Sequence, residues 1–391
     1  MRSKLLIVFL VVFIDLLGFG IIIPILPYYA DSFGASAYDV GMLMVCYSAM
    51  QFLFSPLWGS LSDKVGRRPV MLFCLVGMML SLVVLGFAPS LMWLYIARIF
   101  SGIFGANVST ASAYIADVTT IEDRAKGMGL IGAAFGLGFL VGPAVGGMLS
   151  KWGYGTAAFA AAIFSGLSFL FALWKLKEPQ LSMEERAAHR RRFGFRDWIA
   201  TFTHPTTGLA IWMFFLVTSG HAIIETIFGL FLLKQFGMDA FQAGLLLALM
   251  AVVMVTVQGK GIGPLSKKFG EVKLLVFGTS AMTAALFLAS FGKSYSFFVA
   301  AILLHALGYA VTNPSLMSQV SKYSPESSKG ATMGIYQSAG SLARIAGPLS
   351  AGLLFDVYGP YSPFLAACVL FFLAFLLLNV KKRVWKAALA Q

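Results

Sequence analysis

The chain is 391 residues long, 59% hydrophobic and only 12% charged, with a mean hydropathy of +0.84. That balance excludes an ordinary soluble domain, whose surface needs far more charge, and makes lipid the solvent for much of the chain. The net charge of +13 would suit a nucleic-acid binder if it were gathered on one surface, but it is spread between apolar stretches.

A bilayer core about 30 Å thick takes roughly 20 apolar residues per helix. Hydropathy predicts twelve such spans, at 5–29, 40–58, 69–88, 92–114, 127–149, 156–174, 209–233, 243–262, 272–291, 297–318, 331–353 and 363–380. The expected fold class is therefore an all-α polytopic membrane protein; the runs are too long for lipid-facing strands, which alternate and stop at about ten residues. With both termini in the cytoplasm, all but five of the 29 Lys and Arg fall in or beside cytoplasmic segments. The exceptions are Lys151, Lys234 and Lys293 outside, and Arg98 and Arg344 within spans. This positive-inside pattern predicts a multi-pass protein of the bacterial cytoplasmic membrane with cytoplasmic termini, and accounts for the basicity without nucleic acid.

The first span follows Met1-Arg-Ser-Lys, which resembles a signal peptide, and Ala35-Ser36-Ala37 mimics a cleavage site. Its apolar run is much longer than a signal core and carries Asp15, so it reads as a retained helix. The second span holds Gln51 and leads into Gly59-x-Leu61-x-Asp63-Lys64-x-Gly66-Arg67-Arg68, a turn short enough to need Gly66, with charges able to pair with helix ends or with the other half. The fourth carries Arg98 in Leu94-x-x-x-Arg98-x-x-x-Gly102, then Asn107. The fifth carries Gly138-x-x-x-Gly142-Pro143-x-x-Gly146-Gly147, a face that allows close helix approach, with Pro143 permitting a bend. Cys46, Cys74 and Cys368 fall in spans without paired spacing, and His189, His204, His221 and His305 are scattered, so neither a disulfide framework nor a metal site is expected.

Between the sixth and seventh spans lies a polar stretch with Glu184, Glu185 and Arg190-Arg191-Arg192, then Phe193, Phe195 and Trp198. It is expected to be a cytoplasmic linker resting on the anionic leaflet, with a regulatory partner site as the alternative. The domains are then 1–177, a six-helix bundle; 178–205, the linker; and 206–391, a second six-helix bundle. The two bundles repeat. Gly59-Ser-Leu-Ser-Asp-Lys-Val-Gly66 returns as Gly263-Pro-Leu-Ser-Lys-Lys-Phe-Gly270 at an offset of 204, and Arg124–Gly147 returns as Lys329–Gly352 at an offset of 205. Six helices repeated in one orientation form a parallel duplication, which builds two bundles around a midplane cavity and points to transport by rocking.

The loop from Gly59 to Arg68, Arg98 in the fourth span and the Gly138–Gly147 pattern together resemble the signatures of the major facilitator superfamily, across essentially the whole chain. The chain is further similar to bacterial tetracycline and multidrug:proton antiporters at Asp15-Leu-Leu-Gly18-Phe-Gly20, Pro24-Ile-Leu-Pro27, Ser55-Pro56-Leu57-Trp58-Gly59, Tyr114-Ile-Ala-Asp117 and Glu122-Asp123-Arg124. The resemblance implies efflux of amphipathic compounds in exchange for protons, with the fifth-helix glycines making a contact between halves that limits leak. The chain departs from tetracycline exporters in having no acid at 69–88 or 272–291, and Lys267 stands where an acid would match Asp63.

Ionisable groups at membrane depth are costly and so mark function. Asp15 lies about 15 Å into its helix and Arg98 roughly 10 Å from the outer face. Together they would form a carboxylate whose proton affinity depends on access and on the guanidinium; the alternative is a carboxylate that only tightens a helix. Glu225 and His221 share a helix face, and Arg344 lies within pairing range by depth, giving either a second proton or charge site or a static ion pair. His305 reads as a packing residue. The proton-coupling candidates are therefore Asp15, Arg98, Glu225, Arg344 and His221. Gating candidates are Gly59, Asp63, Gly66, Arg67, Arg68, Gly138, Gly142, Pro143, Gly146 and Gly147, and cavity candidates are Gln51, Asn107, Asn313, Tyr336 and Gln337. A monomer in membrane lipid is expected, with a small-molecule substrate, protons and no cofactor. Uptake symport of a sugar or organic acid is the alternative, and a sensor or a membrane enzyme would need a soluble domain or a catalytic constellation.

Overall fold

The computed structural model describes residues 2–105, 107–119, 121–179, 201–292, 294–324 and 329–388. The linker residues 180–200, with the basic run and its aromatic neighbours, lie outside the described residues, as does Lys293. The described residues form helices and turns, with no strand among them. They make twelve helical rods. In the first half these are α1 (Arg2–Asp31), α2 (Ala37–Val65), α3 (Arg67–Gly86), α4 (Leu91–Val118), α5 (Ile121–Leu149) and α6 (Tyr154–Lys175). In the second half α7 is Thr207–Phe236, and α8 is Ala240–Thr256 continued by a π turn at Val257–Gly261 and by Ile262–Phe269. Then follow α9 (Glu271–Phe291), α10 (Tyr295–Tyr323), α11 (Lys329–Tyr358) and α12 (Ser362–Ala388). Among the described residues ten rods are long and apolar enough to cross a membrane; the glycine-rich α5 and α11 are the two outside that set.

Most helices overrun the hydropathy-predicted spans by a few residues because polar residues continue a helix once it has nucleated. α2 extends to Val65, so the motif loop shrinks to Gly66, whose φ of 108° only glycine adopts freely. α9 starts at Glu271, which puts an acidic residue on the ninth helix just before the apolar span.

The duplication is legible in the turns. The described positive-φ glycines are Gly34, Gly66, Gly153, Gly237, Gly270 and Gly359, and they pair by repeat position as 34/237, 66/270 and 153/359. Helix starts repeat as well. Ser36 and Asp39 exchange hydrogen bonds at the head of α2, and Asp239 and Gln242 do so at the head of α8, a capping box in each half.

Two compact units result. The first comprises Met1–Ala35, Leu43–Arg191 and Leu232–Ala248, and the second Ser36–Met42, Arg192–Phe231 and Leu249–Gln391. In the first, α1 packs on α5 and α6, and α3 on α4 and α6. Its core joins Val8, Val11, Val12 and Leu16 to Met71, Leu75, Tyr114, Ile115 and Leu176. In the second, α9 packs on α10 and α12, and Phe231 meets Phe364 edge-on at 4.6 Å and Phe298 at 4.9 Å. Phe73, Leu80, Phe87, Leu170, Trp174, Phe291 and Val380 are exposed, which hydrocarbon tolerates and water would not.

Candidate functional site

The first unit gathers charge where α3 begins. Arg67 is 7% exposed, and its guanidinium meets Asp63 one turn back at 2.5 Å, Asp117 of α4 at 2.8 Å and the Ser62 hydroxyl at 2.6 Å. The Asp117 side chain is 1% exposed, so the pair is closed off from solvent. Glu178, just past α6, accepts from the backbone N–H groups of Arg67 and Arg68 at 2.7 and 2.8 Å. That carboxylate therefore caps a helix N-terminus, where negative charge is favoured. Arg68 donates to the Leu173 carbonyl at 2.8 Å, a cation on the C-terminal end of α6. Four elements are thus pinned through the motif residues, all within one unit.

The glycines of α5 face α1. A Cβ on Gly138 would press on Leu16, on Gly142 against the Gly20 backbone, and on Gly146 against the Ile21 carbonyl. Gly147 turns instead to Ala240, Phe241 and Gly244 at the head of α8, and Pro143 offers its carbonyl to Gly244. The second unit repeats this contact, with Gly41 against Pro348 and Gly352 against Ala37 and Tyr38. Gly59 has nothing within 4 Å of a built Cβ, so packing does not explain it.

At membrane depth the expected acid and base have separate partners. Asp15 lies beside Ser165 of α6 and Cys74 of α3, and its Oδ1 is buried without a hydrogen-bond partner. Arg98 is 4% exposed. It donates to the Leu43 carbonyl at 3.3 Å and holds its guanidinium over Tyr47 at 4.3 Å and Phe19 at 6.0 Å. Its contact on α1 is thus one turn beyond Asp15. A delocalised guanidinium is well served by aromatic faces. Of the cavity candidates here, Gln51 donates to the Gly105 carbonyl at 3.0 Å and to Tyr47 at 3.3 Å, tying α2 to α4. Asn107 is buried with its Oδ1 unpartnered.

The second unit collects its polar groups around Tyr309 of α10. His221 stacks on the Tyr309 ring at 4.0 Å, and its Nδ1 lies 3.2 Å from His305 Nε2. Glu225, one turn along α7, and Arg344 of α11 both act electrostatically on the Tyr309 hydroxyl. Arg344 also donates to Ser341 at 3.4 Å. Tyr336 stacks on Phe214 at 3.8 Å and is 2% exposed, its hydroxyl buried without a partner. Asn313 is half-buried and Gln337 exposed.

Sequence reasoning missed two features. One is the His221–His305 contact, since residues 84 apart carry no local signal. The other is a charge network at Glu271, which accepts from Ser318 and Gln319, each at 2.5 Å, and pairs with Lys322 at 3.4 Å. The second was within reach, because extending the repeat one residue past Gly66 and Gly270 aligns Arg67 with Glu271.

Comparison with known proteins agrees with this architecture. The family model for the Major Facilitator Superfamily matches twice, over residues 8–261 and 261–387. The class C tetracycline resistance protein of Escherichia coli is 33% identical over 360 residues, covering 89% of this chain and 88% of that protein. Multidrug resistance protein 2 of Bacillus subtilis (strain 168) is 29% identical, covering 91% and 89%. Among solved structures, the human organic anion transporter MFSD10 (TETRAN) superposes with a TM-score of 0.73 at 29% identity, over 96% of this chain and 99% of that one. Duplicated bundles, the pinned motif loop and these matches lead to one assignment: the chain belongs to the Major Facilitator Superfamily and is a multi-pass membrane transporter.

Proposed function

We propose that this protein exports small amphipathic molecules in exchange for protons, by alternating access across the bacterial cytoplasmic membrane with both termini inside. The observation that carries this reading is Asp15, a carboxylate deep in α1 with one oxygen buried and lacking a donor among the described residues. Such an oxygen takes its partner from outside the scaffold: a proton, a water or a substrate group. Ionisable side chains at this depth are expensive to keep without a task. The outward direction is supported by relatives named for resistance to tetracycline and to multiple drugs, and the Gly138-x-x-x-Gly142-Pro143-x-x-Gly146-Gly147 pattern resembles the one associated with the antiporter branch of the superfamily.

In the cycle, a proton loads Asp15 from the outside as substrate leaves, the bundles rock, and the proton is released inside. Glu225 and Arg344 supply further charge around Tyr309 in the second unit. Purified protein in liposomes with an imposed pH gradient tests the scheme, using ethidium, tetracycline and a sugar as probes. Counter-directed proton flow should accelerate ethidium movement, and Asp15→Asn should remove that acceleration. Acceleration by co-directed protons would make the protein a symporter and overturn the export direction. Full gradient-driven movement in Asp15→Asn and in Glu225→Gln would overturn both proton assignments.

A further inference from the structure

The His221–His305 contact has a form that helix packing alone does not require. The two rings lie on α7 and α10, with Nδ1 and Nε2 3.2 Å apart and planes inclined by 15°. His305 is fully buried, and its other nitrogen, Nδ1, is also buried without a partner. Two apolar rings would fill the same space without an orphaned polar atom, which costs free energy inside a bundle. A hydrogen bond between two neutral imidazoles uses one N–H and one lone pair, so the pair is fixed only up to the direction of donation.

We propose that His221 and His305 form a proton-holding dyad that takes up and passes on one proton in each transport cycle. The inference rests on the reading of proton-driven export. The transfer balances without other chemistry. A proton binds His305 Nδ1, and the charge is shared across the contact as the Nε2 proton of His305 moves to His221 Nδ1 and back. After the conformational change the proton leaves from His305 Nδ1. Only N–H bonds form and break, one proton enters for each that leaves, and both rings return to their starting tautomers. Two imidazolium rings at this distance repel, which limits the dyad to one extra proton.

The groups facing the dyad suit this task. Tyr309 covers the His221 ring from α10, and Phe371 of α12 closes the side of His305 at 5.4 Å. Glu225 of α7 and Arg344 of α11 bring one charge of each sign to Tyr309, and Tyr336 of α11 adds a neutral hydroxyl. Movement of α7 or α11 against α10 would therefore change the field at the imidazoles, which is the coupling an exchanger needs.

The chain has four histidines, so ¹⁵N-histidine NMR of the full-length protein in lipid nanodiscs resolves the dyad, with His305→Gln and His221→Gln for assignment. Two imidazoles sharing a single protonation step, lost in either variant, would support the dyad. Two neutral rings with fixed tautomers at every pH, or two independent titrations, would overturn it. In liposomes, the ratio of gradient-driven ethidium transport to gradient-free ethidium exchange should fall by about tenfold in His305→Gln, which can hydrogen-bond but cannot carry a proton. If the wild type couples ethidium to protons and both variants couple equally well, the dyad is wrong and the export reading stands. If the wild type shows no coupling, the export reading fails and the NMR titration alone decides the dyad.

Discussion

Arg67 and Glu271 stand at equivalent positions in the two repeats, each the first residue of a helix that follows a positive-φ glycine, and they carry opposite charges. Their partners are inverted too. Asp117 answers Arg67 at 2.8 Å, and Lys322, its repeat equivalent on α10, answers Glu271 at 3.4 Å. Asp63 and Lys267 complete the exchange of sign. The duplicated scaffold thus keeps an ion pair at the same place with reversed polarity. Its polarity is free to change because only complementarity matters to holding α3 on α4 or α9 on α10.

Arg67→Ala should destabilise the protein by about 3–5 kcal/mol, because it leaves the buried Asp117 carboxylate without its cation. Replacing Asp63, Arg67 and Asp117 by Lys, Glu and Lys, the polarity of the second repeat, should recover a substantial part of that loss. Thermal unfolding in detergent measures both, and an absence of recovery would show that Arg67 matters for more than pairing.

Glu178→Ala should cost about 0.5–2 kcal/mol through loss of the cap on α3. Glu178→Gln keeps an acceptor but not the charge, and should fall between. The order Glu, Gln, Ala in melting temperature is the readout; an inverted order would remove the helix-end account.

Gly146→Ala forces α5 away from the Ile21 carbonyl and should destabilise by about 1–3 kcal/mol. Gly59→Ala meets open space inside a helix and should be neutral or stabilising by up to about 1 kcal/mol. Transport assays on a stable Gly59→Ala protein then separate gating from packing: a loss of transport assigns Gly59 to movement, and full transport releases it from the gating set.

Asp356 accepts from the N–H groups of Ala37 and Tyr38 at 3.1 and 2.7 Å, holding the head of α2 in the second unit. Its repeat equivalent is Lys151, which lies over the Phe241 ring at 3.7 Å instead. Asp356→Lys should therefore destabilise more than Asp356→Ala, since a cation opposes the positive end of α2. Added salt should narrow the gap between the two variants. Equal melting temperatures at low salt would mean that the head of α2 is held without this charge.

The fold was written into the sequence because lipid imposes a simple requirement. Each crossing needs about 20 apolar residues with its backbone satisfied internally, so hydropathy located the twelve rods and the repeated motifs exposed the duplication. Gly66 was readable for the same local reason, since a one-residue turn leaves glycine as the ready choice. Side-chain partnerships were not readable. Depth along a helix axis placed Arg98 near Asp15, but rotation about that axis sent its guanidinium to Tyr47 and the Leu43 carbonyl, and left Asp15 beside Ser165 and Cys74. Likewise Glu178 reads as the start of a polar linker and becomes the cap of α3, and His305 reads as packing until α10 brings its ring against His221. The sequence alone determined which stretches are long and apolar enough to cross a membrane, because that is read along one dimension. Only tertiary structure decided who meets whom, because the azimuth of each helix is set by packing against its neighbours.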